Sequence, residues 1–250
     1  MLLVDQRGPV RWLQLDRPER RNALTVELVR RLADAVLEAG ADSQVRLIAL
    51  TGSPPAFCAG GDLADLGAVA DEGALAVTEV VYGQFHRLVH ALSGVPVPVV
   101  AAVDGPALGA GLDLALACDL RIATEAAVFA SSWIAVGLVP GMGGAHLLSR
   151  AVGSTRASEM VLLGRQVRAT EALSWGLVNE VVPQQALAER VDALGTQLSG
   201  LSAAALARSK ASLRRAMAES FDTELAVMGA TQGALLTSPG FREATARFRR

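Results

Sequence analysis

Two loops of small residues, CAGGD at 58–62 and GPALGAG at 105–111, each follow a strongly apolar run of the chain. Where such a loop opens a helix, its first backbone N–H groups have no partner inside the helix and form an electropositive socket. Two sockets converging on one point would hold a negatively charged oxygen, as an enolate or a tetrahedral intermediate requires. Taken singly, each loop reads equally well as a tight strand-to-helix turn. Asp113, in GLDLAL, follows the second loop closely. It is either a proton carrier or simply an acid in the first turn of a helix, where the helix dipole favours one.

Beyond it the chain loses its charges. From Ala126 to Ser149 there is no acid, Lys or Arg, and His146 is the sole titratable group. In the middle stands SSWIAVGLVPGMGG, residues 131–144, with Trp133 alone among small and aliphatic residues. An indole has one N–H donor, no acceptor and no useful pKa, so it cannot act as a base. Ser131 and Ser132 could hold a polar substrate tail or a water, or could be structural. His86 and His90 are four apart on a predicted helix, a spacing open to a metal, but no acid or Cys joins them in sequence. Packing or surface roles suit them better, and no metal site is expected. His146 follows GMGG.

Positioning these groups requires an α/β framework. PVRWLQLD, residues 9–16, reads as a strand ended at Arg17-Pro18, because proline pushes the preceding residue out of the helical region. A helix follows, with Thr25 as N-cap, Val26, Val29, Leu32, Ala33, Val36 and Leu37 on one face, and Gly40 as its stop. Residues 45–51 and 97–103 are short, nearly continuous apolar runs, as in strands covered on both faces. From about 155 onward the pattern is helical, through STRASEMVLLG, ATEALSWG, and the stretches 184–217 and 222–236. The expected architecture is an α/β core followed by helices.

Composition narrows the possibilities. The chain has 250 residues, 51% hydrophobic and 19% charged, with a net charge of −2. It is long enough to bury a substantial core, and disorder is excluded. Nothing in its charge points to nucleic acid or a membrane as partner. Cys58 and Cys118 lack the spacing of a metal cage or a disulfide framework, which suits a reducing, cytoplasmic setting. Asp5 and Arg7 interrupt the N-terminus where a signal peptide would need an apolar core, and no apolar run has membrane-spanning length.

Several segments together resemble one family. PAFCAGGDL, PVVAAVDGPALGAGLDLALACDLRIA, GLVPGMGGAHLLSRAVG and LSWGLVNEVVP are similar, in order, to the crotonase superfamily, the enoyl-CoA hydratase/isomerase family, and RPERRNALT is similar to its N-terminal CoA-binding segment. The likeness runs from about Arg17 to Phe248. It implies an α/β fold with a repeated ββα spiral core, residues 1–195, and a helical C-terminal trimerisation region, residues 196–250. It implies an acyl-CoA thioester as substrate, coenzyme A entering as part of that substrate with no further cofactor. The carbonyl oxygen would be held by the N–H groups of Gly61 and Ala110. CoA and substrate contacts would fall on Arg20, Arg21, Ala23, Ala59, Gly60, Asp62, Leu63, Gly109 and Trp133, with Asp62 chiefly bracing its loop. A homotrimer, or a hexamer of two trimers, is the expected assembly, with the basic end of the chain, three arginines around Phe248, approaching a neighbouring site. Trp175 matches a structural turn.

The chain departs from the pattern at one place. Relatives that hydrate enoyl-CoA use two glutamates, one to activate water and one to protonate the neighbouring carbon. Here those positions are Asp113 and Trp133. Asp113 is therefore the one evident acid–base group, its pKa raised by apolar neighbours such as Leu112, Leu114 and Trp133. Double-bond isomerisation, or a specialised reaction on a substrate with its own polar group, fits better than simple hydration. A non-catalytic acyl-CoA-binding paralogue is the alternative, and a scaffold without ligand the remaining one.

Overall fold

The N-terminal strand expected at residues 9–16 is one half of a hairpin. The computed structural model describes residues 1–245. In it β1 (Leu2–Arg7) pairs antiparallel with β2 (Val10–Leu15), with Gly8 at φ +54° in the turn, a backbone conformation that favours glycine. Parallel strands β3 (Leu47–Gly52) and β4 (Val99–Val103) follow, then the short strands β5 (Pro106–Leu108), β6 (Leu120–Thr124), β7 (Val128–Ala130), β8 (Gln166–Arg168) and β9 (Glu180–Val182). They form a six-stranded sheet in the order β1-β2-β3-β4-β6-β9 and a three-stranded sheet β5-β7-β8.

The helices between them are α1 (Val26–Ala41), α2 (Leu63–Ala70), α3 (Gly83–Gly94), α4 (Ala110–Ala117), α5 (Gly144–Val152), α6 (Ser154–Leu163) and α7 (Ala169–Trp175). Then come α8 (Leu187–Ser199), α9 (Ala203–Arg215), α10 (Phe221–Leu236) and α11 (Pro239–Thr245). The large sheet is buried on both sides, which explains its apolar strands. Along β4, Val99, Ala101 and Val103 face one hydrophobic core, with α1, α3 and α4, while Val100 and Ala102 face a second, under α8.

Thr25 caps α1 as expected, its hydroxyl accepting from Leu28 N–H. Gly40 does not stop that helix, which continues to Ala41. It is small for packing: a Cβ there would stand 2.5 Å from Val95 Cγ1. Leu37 leaves the expected face, 45% exposed. The stretch 184–217 is not continuous, since a 3₁₀ turn at Gln184–Ala186 precedes α8 and Gly200 separates α8 from α9. Arg247, Phe248, Arg249 and Arg250 lie outside the described residues. Among those described, no helix is long and apolar enough to cross a membrane.

Candidate active site

The loop at 58–62 is laced to the segment preceding α1. Ala59 N–H donates to Arg21 O (2.9 Å), Leu24 N–H to Gly60 O (2.8 Å) and Asp62 N–H to Leu24 O (2.9 Å). The turn that allows this places Arg21 at φ +48° and Asn22 at +59°, in the left-handed region. Asn22 secures it from inside: its buried Nδ2 donates to Ser53 O and Ala56 O, both at 2.7 Å, while Oδ1 accepts from Arg17 N–H. Arg17 adds a clamp, with Nη1 2.6 Å from Ala23 O and Nη2 3.0 Å from Asp62 Oδ2. Asp62 caps α2 by accepting from Ala64 and Asp65 N–H. Burial pushes its pKa up, but Arg17 and those N–H groups outweigh burial and hold the carboxyl below its usual range.

The second loop docks on the first. Cys58 N–H donates to Pro106 O (3.0 Å) and Leu108 N–H to Cys58 O (2.9 Å). Gly111 permits the approach, since a Cβ there would lie 2.3 Å from Cys58 O. A Cβ on Gly60 would be 3.0 Å from Leu108 O and 3.6 Å from Ala110 N, so the two glycine loops touch. Among the described residues, neither Gly61 N–H nor Ala110 N–H has an acceptor. Their directions follow from the trans peptide, whose C=O and N–H point opposite ways. Gly60 O is held by Leu24 N–H and Gly109 O by Asp113 N–H (3.1 Å), so the N–H groups of Gly61 and Ala110 are turned away from those partners.

Gly61 and Ala110 line an open cleft with Ala59, Gly60, Gly109 and Ser132. Its other walls are apolar: Leu63, Leu66, Trp133, Val136 and Leu138. Two bare N–H donors beside an apolar cleft suit an oxygen that gains negative charge while its hydrocarbon neighbour stays dry.

Asp113 does not line this cleft. It is 1% exposed, and its carboxylate is turned toward the 141–144 turn, Oδ2 accepting from Met142 N–H at 3.4 Å. Trp133 lines the cleft and is also close to the carboxylate. The indole N–H is buried without a well-formed hydrogen bond, yet near enough to Asp113 to favour its charged form. Burial dominates: it raises the Asp113 pKa to about 7, against the opposing pull of Met142 N–H and Trp133. Tyr82 packs on the same turn, its ring 2.4 Å from where a Gly141 Cβ would stand. Burial, then the Asp113 charge, raises the phenol's pKa.

Residues 5–249 match the family model described as enoyl-CoA hydratase/isomerase. The chain belongs to that family. Over 225 residues this crotonase is 36% identical to a protein of Mycobacterium leprae described as a probable enoyl-CoA hydratase, spanning 90% of this chain and 84% of the other. It is 34% identical to the 1,2-epoxyphenylacetyl-CoA isomerase of Escherichia coli K12, spanning 94% and 90%. The crystal structure of an enoyl-CoA hydratase from Polaromonas sp. JS666 superposes with a TM-score of 0.94 at 32% identity, covering 99% of this chain and 96% of that one. The fold is the crotonase α/β fold, with two sheets and C-terminal helices. Enzymes of this family need no cofactor beyond the coenzyme A of the substrate.

Of the residues singled out in the sequence, Ala59, Gly60, Gly61, Leu63, Gly109, Ala110 and Trp133 meet at the cleft. Arg20 and Arg21 are exposed on the neighbouring turn, and Ala23 is half-buried with its carbonyl bound by Arg17. Asp62 braces the loop, and Asp113 is buried outside the cleft lining. His86 is exposed, its Nε2 2.9 Å from Gly141 O, and His90 and His146 are exposed on their helices. No three metal-ligating side chains gather among the described residues. Arg17, Asn22, Leu66, Val136 and Leu138 were not singled out. Arg17 and Asn22 belong to RPERRNALT, but only their partners around residues 53–62 reveal the work they do.

Proposed function

We propose that this crotonase is an acyl-CoA enzyme that holds its thioester oxygen between Gly61 N–H and Ala110 N–H and forms an enolate there. The observation that carries the reading is the pair of unpartnered donors at the apolar cleft. Each such donor is worth roughly 3 kcal/mol to a developing oxyanion. Coenzyme A would extend along the 20–24 and 59–63 segments, where Arg20 and Arg21 are free to meet phosphates. Relatives carry both hydratase and isomerase names, so the acid–base groups decide the reaction. With Trp133 in the place of a second carboxylate, one proton carrier, Asp113, moves a proton from one carbon to another. Double-bond isomerisation or a specialised rearrangement is favoured over hydration. The test is Asp113→Asn: turnover of the best acyl-CoA falls at least about 100-fold if Asp113 is the proton carrier. Undiminished turnover overturns the assignment.

A second reading, a non-catalytic acyl-CoA-binding paralogue, is favoured by one observation, the burial of Asp113 outside the cleft lining. It predicts acyl-CoA binding with no turnover of any enoyl-CoA.

The assembly we propose is a homotrimer or a hexamer of two trimers, with residues 1–195 carrying the site and 196–250 the contacts between subunits. Helix α10 buries none of its residues and leaves Phe221 75% exposed, with Leu225 and Leu236 also bare. Sedimentation as a monomer at micromolar concentration would contradict it.

A further inference from the structure

The direction of the Gly61 donor depends on what grips the Gly60–Gly61 peptide. Gly60 itself has φ +110°, a region open chiefly to glycine, and glycine's permissive backbone leaves the peptide's direction to be fixed by its surroundings. One grip is Leu24 N–H on Gly60 O. The other is the side chain of Cys58. Its sulfur accepts from Gly60 N–H at 3.4 Å, and its S–H is directed to Gly60 O at 3.7 Å. The two contacts fall on either side of the Gly60 Cα, one on each of its flanking peptides.

Cys58 also meets the second loop through its backbone. It forms an isolated parallel bridge with Ala107, and its carbonyl and Cβ occupy the space where Gly111 would carry a side chain, at 2.3 and 2.8 Å. One residue therefore touches both segments that supply the bare N–H groups. The thiol is fully buried, and burial pushes its pKa up to about 12, so it stays neutral and keeps the proton it donates. It is a poor nucleophile and lies outside the cleft lining.

We propose that Cys58 is a positioning residue for the thioester oxyanion: its thiol, bonded to both the N–H and the C=O of Gly60, fixes the Gly60–Gly61 peptide and thereby aims Gly61 N–H into the cleft. This rests on the Gly61 donor of the proposed function. Alanine at 58 leaves Gly60 N–H buried and unpaired and frees the peptide to tilt. Serine restores a donor and acceptor, but closer to Cβ, so the grip returns only in part.

The test uses the full chain as wild type, Cys58→Ala and Cys58→Ser, with butanoyl-CoA labelled at the thioester carbonyl. Difference infrared spectroscopy reads the bound C=O stretch, and exchange of acyl protons in deuterated water gives kcat and KM. Wild type lowers the stretch relative to free butanoyl-CoA. The alanine variant loses half or more of that shift, and its kcat falls about tenfold with KM changed less than threefold, as a misaimed donor requires. Serine falls between the two. Variants that unfold at lower temperature but keep the wild-type carbonyl shift overturn the proposal, because a merely structural role predicts that result. Should the alanine variant fail to fold, serine decides alone: a displaced stretch supports the proposal and an unchanged one overturns it. A wild-type protein that binds butanoyl-CoA without shifting its carbonyl removes the oxyanion hole itself, and this proposal with it.

Discussion

The carboxylate of Asp113 occupies the space in which Gly144 would carry a side chain: a Cβ there would stand 1.9 Å from Oδ1 and 2.4 Å from the carboxyl carbon. The GMGG turn and the acid are thus fitted to each other. In Gly144→Ala the carboxylate must move or the turn must shift. The expected cost is about 1–3 kcal/mol of stability, the usual penalty for overpacking a core. Urea denaturation measures it, and a change below about 0.5 kcal/mol would show that the carboxylate relocates freely.

Asp113 also leaves a signature in stability against pH. In the folded chain its pKa is about 7, against 3.8 for the free group. Between these values the folded state keeps the proton and the unfolded state has lost it. Stability contributed by this site is therefore present below about pH 4, declines as pH rises toward 7, and is constant above. At about 1.4 kcal/mol per pKa unit the full change is a few kcal/mol. The difference in unfolding free energy between wild type and Asp113→Asn should follow this course across pH 4–8. A difference independent of pH would place the Asp113 pKa near its ordinary value.

The indole N–H of Trp133 favours the charged form of Asp113. Trp133→Phe keeps most of the wall and removes that donor, so the Asp113 pKa rises. If Asp113 acts as a base, the rising limb of log kcat against pH moves alkaline by up to about one unit, since the lost interaction is one weak polar contact. An unmoved limb would mean that the indole does not reach the carboxylate.

Asn22→Ala should cost about 2–4 kcal/mol, because it strands the carbonyls of Ser53 and Ala56 and the N–H of Arg17 in a buried place. Affinity for coenzyme A should fall with it, as the 20–24 turn no longer holds its shape. Calorimetric titration with CoA, beside thermal unfolding, reads both effects.

Much of the framework was legible because its causes are local. Thr25 and the 3.6-residue period mark α1, and the uninterrupted apolar runs of β3 and β4 mark strands buried on two faces. Gly40 misled because that glycine serves packing against Val95 rather than a left-handed turn. Strands β8 and β9, three residues each, are too short to display a period. At the site, the small residues of both glycine loops were legible by type. Which N–H groups stay unpaired was not, since Leu24, far off in sequence, takes Gly60 O. Trp133 and Asp113 were readable by type, but the direction of the Asp113 side chain was not: the fit of its carboxylate to Gly144 keeps it out of the cleft lining.

The proposed reaction forms an enolate at Gly61 and Ala110 and reprotonates it without addition of water. Incubating the protein with 2-enoyl-, 3-enoyl- and 3-hydroxyacyl-CoA in deuterated water and weighing the products decides it. Deuterium enters the acyl chain of at least one substrate, with no mass gained from water across the double bond, if the reaction runs this way. Water addition at an ordinary enzymatic rate, or no deuterium in any acyl chain, would contradict it.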